Sequence, residues 1–135
     1  MDFQKLKITE GKFWEVNVHW DQTVPGRVCF WYKKDDKKDL LELSKEAILE
    51  FYELGKAVKK SLEKSFNPDL FNYYSLSNAT KHLHIHLIPR YSRERKLFGL
   101  TFKDSNFGKG YERDHNFIVP EEILFRIKDE IVKNL

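Results

Sequence analysis

Lys81-His82-Leu83-His84-Ile85-His86-Leu87-Ile88-Pro89-Arg90 sets three imidazoles at alternate positions, with Leu83, Ile85 and Leu87 between and after them. Alternation with a period of two belongs to a β-strand, whose side chains point to opposite faces in turn. The stretch therefore predicts a strand over residues 81–88, histidines on one face and an apolar set on the other, ended by Pro89. Neighbouring histidines on that face stand roughly 6 to 7 Å apart at Cα, from the rise of a strand. Histidine serves as nucleophile, general acid or base, or metal ligand, and its charge changes near neutral pH. A low-complexity histidine tract does not alternate with Leu and Ile, so the run reads as a chemical site.

Outward from this strand, residues 70–76 form its hairpin partner, joined by the short polar turn Ser77-Asn78-Ala79-Thr80. Residues 13–20 alternate as well: Trp14, Val16, Val18 and Trp20 face one way, and Phe13, Glu15, Asn17 and His19 the other. Thr23-Val24-Pro25-Gly26 is a turn, and residues 27–32 are a second strand, antiparallel to the first. Ser44 is the N-cap of a long helix that carries Ile48, Phe51, Tyr52, Gly55, Val58 and Leu62 at spacings of three and four. It should end near Phe66, because the residue before Pro68 disfavours helical geometry. Gly55 is expected to let the helix pack close to the sheet. Residues 91–118 are loop-rich and aromatic, and Pro120 opens a C-terminal amphipathic helix with Ile123, Leu124, Ile127 and Ile131. Strands and helices mixed in this order predict an α+β fold, a single domain over residues 1–135.

Composition narrows the function classes. A hydrophobic fraction of 41% against 33% charged residues fits a globular chain with a solvated surface. The net charge of +3 is too small to argue for nucleic acid, and the run Lys33-Lys34-Asp35-Asp36-Lys37-Lys38-Asp39 reads as a solvated loop. Cys29, the one cysteine, can form no internal disulfide; set among apolar residues, it is expected to be a buried thiol in a reducing, cytoplasmic protein. The N-terminal residues lack the layout of a secretory signal, and no apolar run approaches a membrane span. No glycine-rich phosphate loop, dinucleotide fingerprint or paired C-x-x-C occurs.

His82-Leu83-His84-Ile85-His86-Leu87-Ile88 resembles the signature of the histidine triad (HIT) superfamily, His-φ-His-φ-His-φ-φ with φ apolar. Val24-Pro25-Gly26 looks like that family's Pro-Gly turn, Pro89-Arg90 often follows its triad, and the long helix lies in the expected place, so the resemblance covers roughly residues 13–90. It implies an antiparallel sheet of about five strands with a long central helix and a C-terminal helix, a homodimer, and action on nucleotides at the α-phosphate. By position, His84 would be the nucleophile that forms a covalent nucleotidyl-histidine. His86 would assist the leaving group, and His82 would orient the site and help bind phosphate. The chemistry itself needs no cofactor; magnesium enters, if at all, as the substrate's counter-ion, and no metal-ligand set is assigned.

Asn72 and Asn78 lie near positions where relatives touch phosphate, and Thr80 stands beside Ala79, which replaces a common hydroxyl-bearing residue. His19 occupies a place where relatives carry Asp or Asn for the ribose. Arg93 and Arg95, directly after the active strand, are expected to screen the distal phosphates of a polyphosphate. The leading reading is a dinucleoside polyphosphate hydrolase. A nucleoside phosphoramidase or nucleotidyl transferase is the competitor within the same chemistry. Outside it stand a zinc-dependent hydrolase, since His-x-His pairs also bind zinc, and a non-catalytic nucleotide sensor. Neither a membrane nor a nucleic-acid partner is expected.

Overall fold

In the computed structural model, which describes residues 2–37 and 39–135, the chain runs β1 (Lys7–Glu10), β2 (Trp14–Val18), β3 (Val28–Tyr32), α1 (Lys45–Phe66), β4 (Leu70–Tyr74), β5 (His84–Arg90), β6 (Arg95–Leu97), β7 (Leu100–Phe102) and α2 (Glu121–Lys133). Met1 and Lys38, the latter part of the charged run, lie outside the described residues. The first five strands make one antiparallel sheet in the order β1-β2-β3-β5-β4, and β6 pairs with β7 as a separate hairpin. This is the expected α+β fold. None of the helices is long and apolar enough to cross a membrane, among the described residues.

Register divides the sheet into two faces. Val16, Phe30 and Ile85 lie side by side across β2, β3 and β5, as do Val18, Val28 and Leu87, and all six are buried. Both helices contribute to this core through Val58, Leu62, Phe66, Ile123, Leu124, Ile127 and Ile131. Full burial of such side chains is worth about 1.5–3 kcal/mol each. The opposite parity, Glu15, Trp31 and His84 in one row and Asn17, Cys29, His86 and Tyr74 in the next, is left to the other face.

Helix α1 starts and stops where expected. Ser44 accepts a hydrogen bond from the Ala47 amide at 3.2 Å, and Asn67 closes the helix in the left-handed region at φ 49° before Pro68. Its buried stripe differs from the expected one. Ala47, Val58, Ser61, Leu62 and Phe66 are buried, whereas Ile48 and Tyr52 are 38% and 56% exposed and a Cβ on Gly55 would meet nothing within 4 Å. Small Ala47 and Ser61 let the helix approach its neighbours: the Ala47 carbonyl accepts from Trp14 Nε1 at 2.8 Å, and Ser61 Oγ donates to the Ile131 carbonyl of α2 at 2.6 Å. Apolar spacing alone does not distinguish the two adjacent rows of one helix.

Three further boundaries shift. The histidine strand begins at His84, so residues 75–83 form a longer connection than a four-residue turn. Pro89 lies within β5, opposite Phe71; the β3 ladder has already ended at Val28 opposite Leu87, so one edge is free of the donor that proline lacks. Strand β2 ends at Val18, leaving Trp20 41% exposed instead of in the core.

Two devices hold the frame. Glu50 of α1 accepts from the amides of Lys12, Phe13 and Trp14 at 2.6, 2.8 and 2.9 Å, gathering the β1–β2 connection onto the helix. Gly26 sits at φ 96°, and a Cβ there would come within 2.9 Å of Phe66, so both conformation and space require glycine. Replacing Glu50 by Ala leaves the three amides without their carboxylate and is expected to cost about 1–3 kcal/mol. A urea titration of Glu50→Ala against wild type measures it; an unchanged midpoint would show that water replaces the carboxylate at no cost.

Candidate functional site

The open face of the sheet floors a cleft of about 900 Å³, within the size range of small-molecule sites. His84, His86, Cys29, Trp31, Glu15 and Asn17 rise from the strands; His19, Trp20 and Arg27 come from the connection around the β2–β3 turn; Ser77, Asn78, Ala79 and Thr80 form one wall. Of the expected site residues, the structure thus brings His84, His86, His19, Asn78 and Thr80 together.

His84 Nδ1 lies 2.6 Å from the carbonyl oxygen of His82. A carbonyl only accepts, so Nδ1 carries the proton and Nε2 is left with its lone pair. His82, which precedes the strand, stacks on Trp31 with ring centroids 4.2 Å apart and directs its own Nε2 to the Tyr32 carbonyl. Its side chain is not part of the cleft lining; what it supplies to His84 is the backbone oxygen.

His86 has the complementary arrangement. Arg27 Nη2 stands 3.3 Å from His86 Nδ1, and arginine only donates, so Nδ1 accepts and the neutral ring holds its proton on Nε2. His19 Nδ1 accepts the Asp21 amide at 3.0 Å and is likewise an Nε2–H tautomer. The three rings form a cluster, His84 to His86 at 4.9 Å and His86 to His19 at 5.2 Å between centroids, both edge-on. Burial, then the Arg27 charge, lowers His86 to about 4 and His19 to about 3, so both are neutral near pH 7.

Arg27 is itself anchored, its Nη1 donating to Asp21 Oδ2 at 2.6 Å over the ring of Tyr111. Burial disfavours the Asp21 carboxylate, but hydrogen bonds from Tyr111 and Thr23 and the guanidinium outweigh it and hold the carboxyl below its usual range. Cys29 is half-buried on the cleft face, not packed in the core as expected, and lies across the ladder from His86. Burial pushes its thiol up to about 12, which keeps it protonated.

Asn72 shares the histidine face but its amide oxygen accepts from Arg90 Nη1 at 2.6 Å, away from the cleft. Arg90 is buried and fully used: Nε and Nη2 pair with Asp104, and the remaining bonds go to the carbonyls of Asn106 and Lys109. Arg93 and Arg95 are not at the cleft either. They follow the far end of β5, roughly 20 Å along the strand from His84. Arg95 donates to the Phe66 and Asn67 carbonyls at the end of α1, and the charge of Arg93 acts on Asp69. Among the described residues no three His, Cys, Asp or Glu side chains are grouped so as to hold a metal ion.

Arg27, Asp21, Cys29, Trp31 and Tyr111 are site residues the sequence reading did not single out. Parity carried the signal for three of them. If the turn at Pro25-Gly26 pairs Asn17 with Cys29, then Arg27, Cys29 and Trp31 fall on the face of Glu15, Asn17 and His19. Tyr111, far away in sequence, left none.

A family model described as the HIT domain matches residues 23–93. Among solved structures, the chain is similar to a Hit-like protein of Bartonella henselae, with 23% identity over 96% of this chain and 86% of that one and a TM-score of 0.69. A histidine triad protein of Sinorhizobium meliloti shares 22% identity over 96% and 89%, with a TM-score of 0.71. The diadenosine triphosphate hydrolase of Plasmodium falciparum shares 19% identity over 96% and 76%, with a TM-score of 0.66. No curated protein matches the sequence significantly.

Two expectations follow. Arg95→Ala should lose about 1 kcal/mol of stability, from an uncapped helix end. It should leave the KM of any substrate of the cleft unchanged; a raised KM would place Arg95 at the phosphates after all. The second concerns acid. His19 and His86 remain neutral in the folded protein down to about 3 and 4, but take up protons near 6.5 once unfolded. Between these values the unfolded chain binds more protons, so stability rises with pH there: it is complete above 6.5 and is lost as pH falls through the window. Urea midpoints of wild type and the His19→Gln/His86→Gln double variant, taken from about pH 7 to about pH 4, should show a shallower acid loss in the variant. Parallel profiles would contradict the depressed values.

Proposed function

The chain belongs to the HIT domain family, and on that premise we propose that it is a nucleotide hydrolase that cleaves a phosphoanhydride at the α-phosphate of a dinucleoside polyphosphate. The observation that carries this reading is the hydrogen bond from His84 Nδ1–H to the His82 carbonyl, which leaves a bare Nε2 on the residue that occupies the middle of the triad. A neutral imidazole with one nitrogen pinned as donor is oriented for nucleophilic attack without rotation of the ring.

The chemistry balances in two steps. His84 Nε2 attacks the α-phosphorus, the N–P bond forms, and the bond from phosphorus to the bridging oxygen breaks with its electron pair on the departing oxygen. The Nε2–H of His86 donates to that oxygen. Water then attacks the phosphorus of the nucleotidyl-histidine, the N–P bond breaks, and the mononucleotide leaves while one water proton passes to solvent. Asn78 and Thr80, in the wall, would offer donors to phosphate, and His19, packed edge-on against His86, would offer its Nε2–H to the substrate. Magnesium would act as counter-ion to the polyphosphate. The fold likeness to a diadenosine triphosphate hydrolase supports this substrate class over a bare sensor role.

Single-turnover quench-flow with diadenosine tetraphosphate, with and without chelator, tests the reading. Wild type should accumulate a nucleotidyl adduct and release AMP, and His84→Ala should form no adduct and lose roughly 10⁴-fold or more in rate, as loss of a nucleophile does. Turnover that persists in His84→Ala would exclude this mechanism.

A further inference from the structure

Arg27 stands between an anion and a histidine. Nη1 donates to Asp21 Oδ2 at 2.6 Å and Nη2 reaches His86 Nδ1 at 3.3 Å. The carboxylate is fixed in turn: the Thr23 amide and hydroxyl bond Oδ1 at 3.0 and 2.8 Å, and the Tyr111 hydroxyl bonds Oδ2 at 2.7 Å. Thr23 and Tyr111 therefore hold Asp21, Asp21 holds Arg27, and Arg27 holds His86.

The consequence lies in where a second proton on His86 would have to go. Protonation of this ring adds a proton at Nδ1, which is the atom that accepts from the guanidinium. The proton would break that hydrogen bond and place two cations in contact. The other groups around His86 do not reverse this. Asp21 favours the cation but lies beyond the guanidinium; His84 on the same strand and His19, whose ring meets His86 edge-on at 5.2 Å, bring no carboxylate; of its ladder neighbours, Cys29 stays a thiol and the Tyr74 hydroxyl accepts from the Tyr111 amide. A bound phosphate pulls His86 toward protonation, and Arg27 opposes that pull.

We propose that Arg27, anchored by Asp21, is a positioning residue that keeps His86 a neutral Nε2–H donor, and thereby selects leaving groups that depart as anions: phosphoanhydrides over phosphoramidates. The inference rests on the nucleotidyl-transfer reading above. In a phosphoanhydride the breaking P–O bond leaves its electron pair on a phosphate oxygen, a stable anion. A hydrogen bond from His86 is sufficient, and His86 keeps its proton. In a phosphoramidate the breaking P–N bond would leave the pair on an amine nitrogen, which cannot depart without gaining a proton. That proton would come from an imidazolium at His86, the form Arg27 disfavours. The same cleft is thus biased between two substrate classes by one guanidinium.

The test compares wild type, Arg27→Met and Arg27→Gln in two readouts. The first is kcat/KM for diadenosine tetraphosphate and for adenosine 5′-phosphoramidate as a function of pH. The second is the ring-nitrogen NMR spectrum of ¹⁵N-histidine protein, assigned with His86→Gln. Wild type should prefer the anhydride, and its His86 should show a bare Nδ1 and a protonated Nε2. In Arg27→Met the anhydride-to-phosphoramidate ratio should fall roughly tenfold or more, the size of one unit in the pKa of the donor. The alkaline limb of its phosphoramidate profile, where the imidazolium is lost, should move to higher pH. Arg27→Gln keeps a donor toward Asp21 without the guanidinium charge and should move both readouts in the same direction, so the test survives if Arg27→Met does not fold. A ratio unmoved in both variants, or a wild-type His86 protonated on Nδ1, overturns the proposal. Wild type inert toward both substrates overturns the functional reading and the selectivity with it, while the NMR spectrum still decides whether Arg27 holds the tautomer.

Discussion

Everything at the cleft depends on the register of β5. The strand is paired on both edges, with His84 opposite Trp31 and His86 opposite Cys29 on one side and Tyr74 on the other. Sliding it by one residue would turn Ile85 and Leu87 into the cleft and two imidazoles into the core, where nothing waits to bond them. The register is held beyond the ladder as well. The Tyr91 hydroxyl donates to the Pro25 carbonyl at 2.6 Å, and the buried Arg90 fastens the end of the strand to the loop around Asp104. His84, the proposed nucleophile, is kept in place here by pairing far from its ring.

On that frame the electrostatics are arranged for an anion. Two of the three clustered imidazoles are stripped of charge by burial and by Arg27, and both line the cleft. Neutral donors beside a shielded cation stabilise charge that develops during reaction without first having to release a counter-ion. The pairing of one histidine to a carbonyl and its neighbour to a guanidinium gives adjacent rings opposite tautomers, hence opposite roles, without any difference in residue type.

How much of this was legible in the sequence varies with the range of the interaction. The α+β order, the antiparallel β2–β3 pair, the Ser44 and Asn67 limits of α1 and the buried row of α2 all follow from short-range rules of period, capping and turn chemistry. The histidine face did too. What failed needed partners distant in the chain. Gly55 looked like a contact point because its neighbours were apolar, yet the helix chose the adjacent row, where Ala47 and Ser61 allow close approach. Arg93 and Arg95 looked like phosphate ligands because they follow the active strand, but a strand separates its ends in space. Asn72 had the right parity and was claimed by Arg90. Strand β1 and the β6–β7 hairpin, short and weakly patterned, went unplaced.

The wall formed by residues 77–80 belongs to no ladder and is largely exposed, while His84 rides on a strand paired along both edges. Changes in that wall cost the fold little, whereas changes on β5 disturb core and cleft together. Insertions or polar substitutions there can therefore reshape what the cleft admits while His84 and the His82 carbonyl that orients it stay as they are. The shape of the cleft and the histidines that floor it are free to change at different rates.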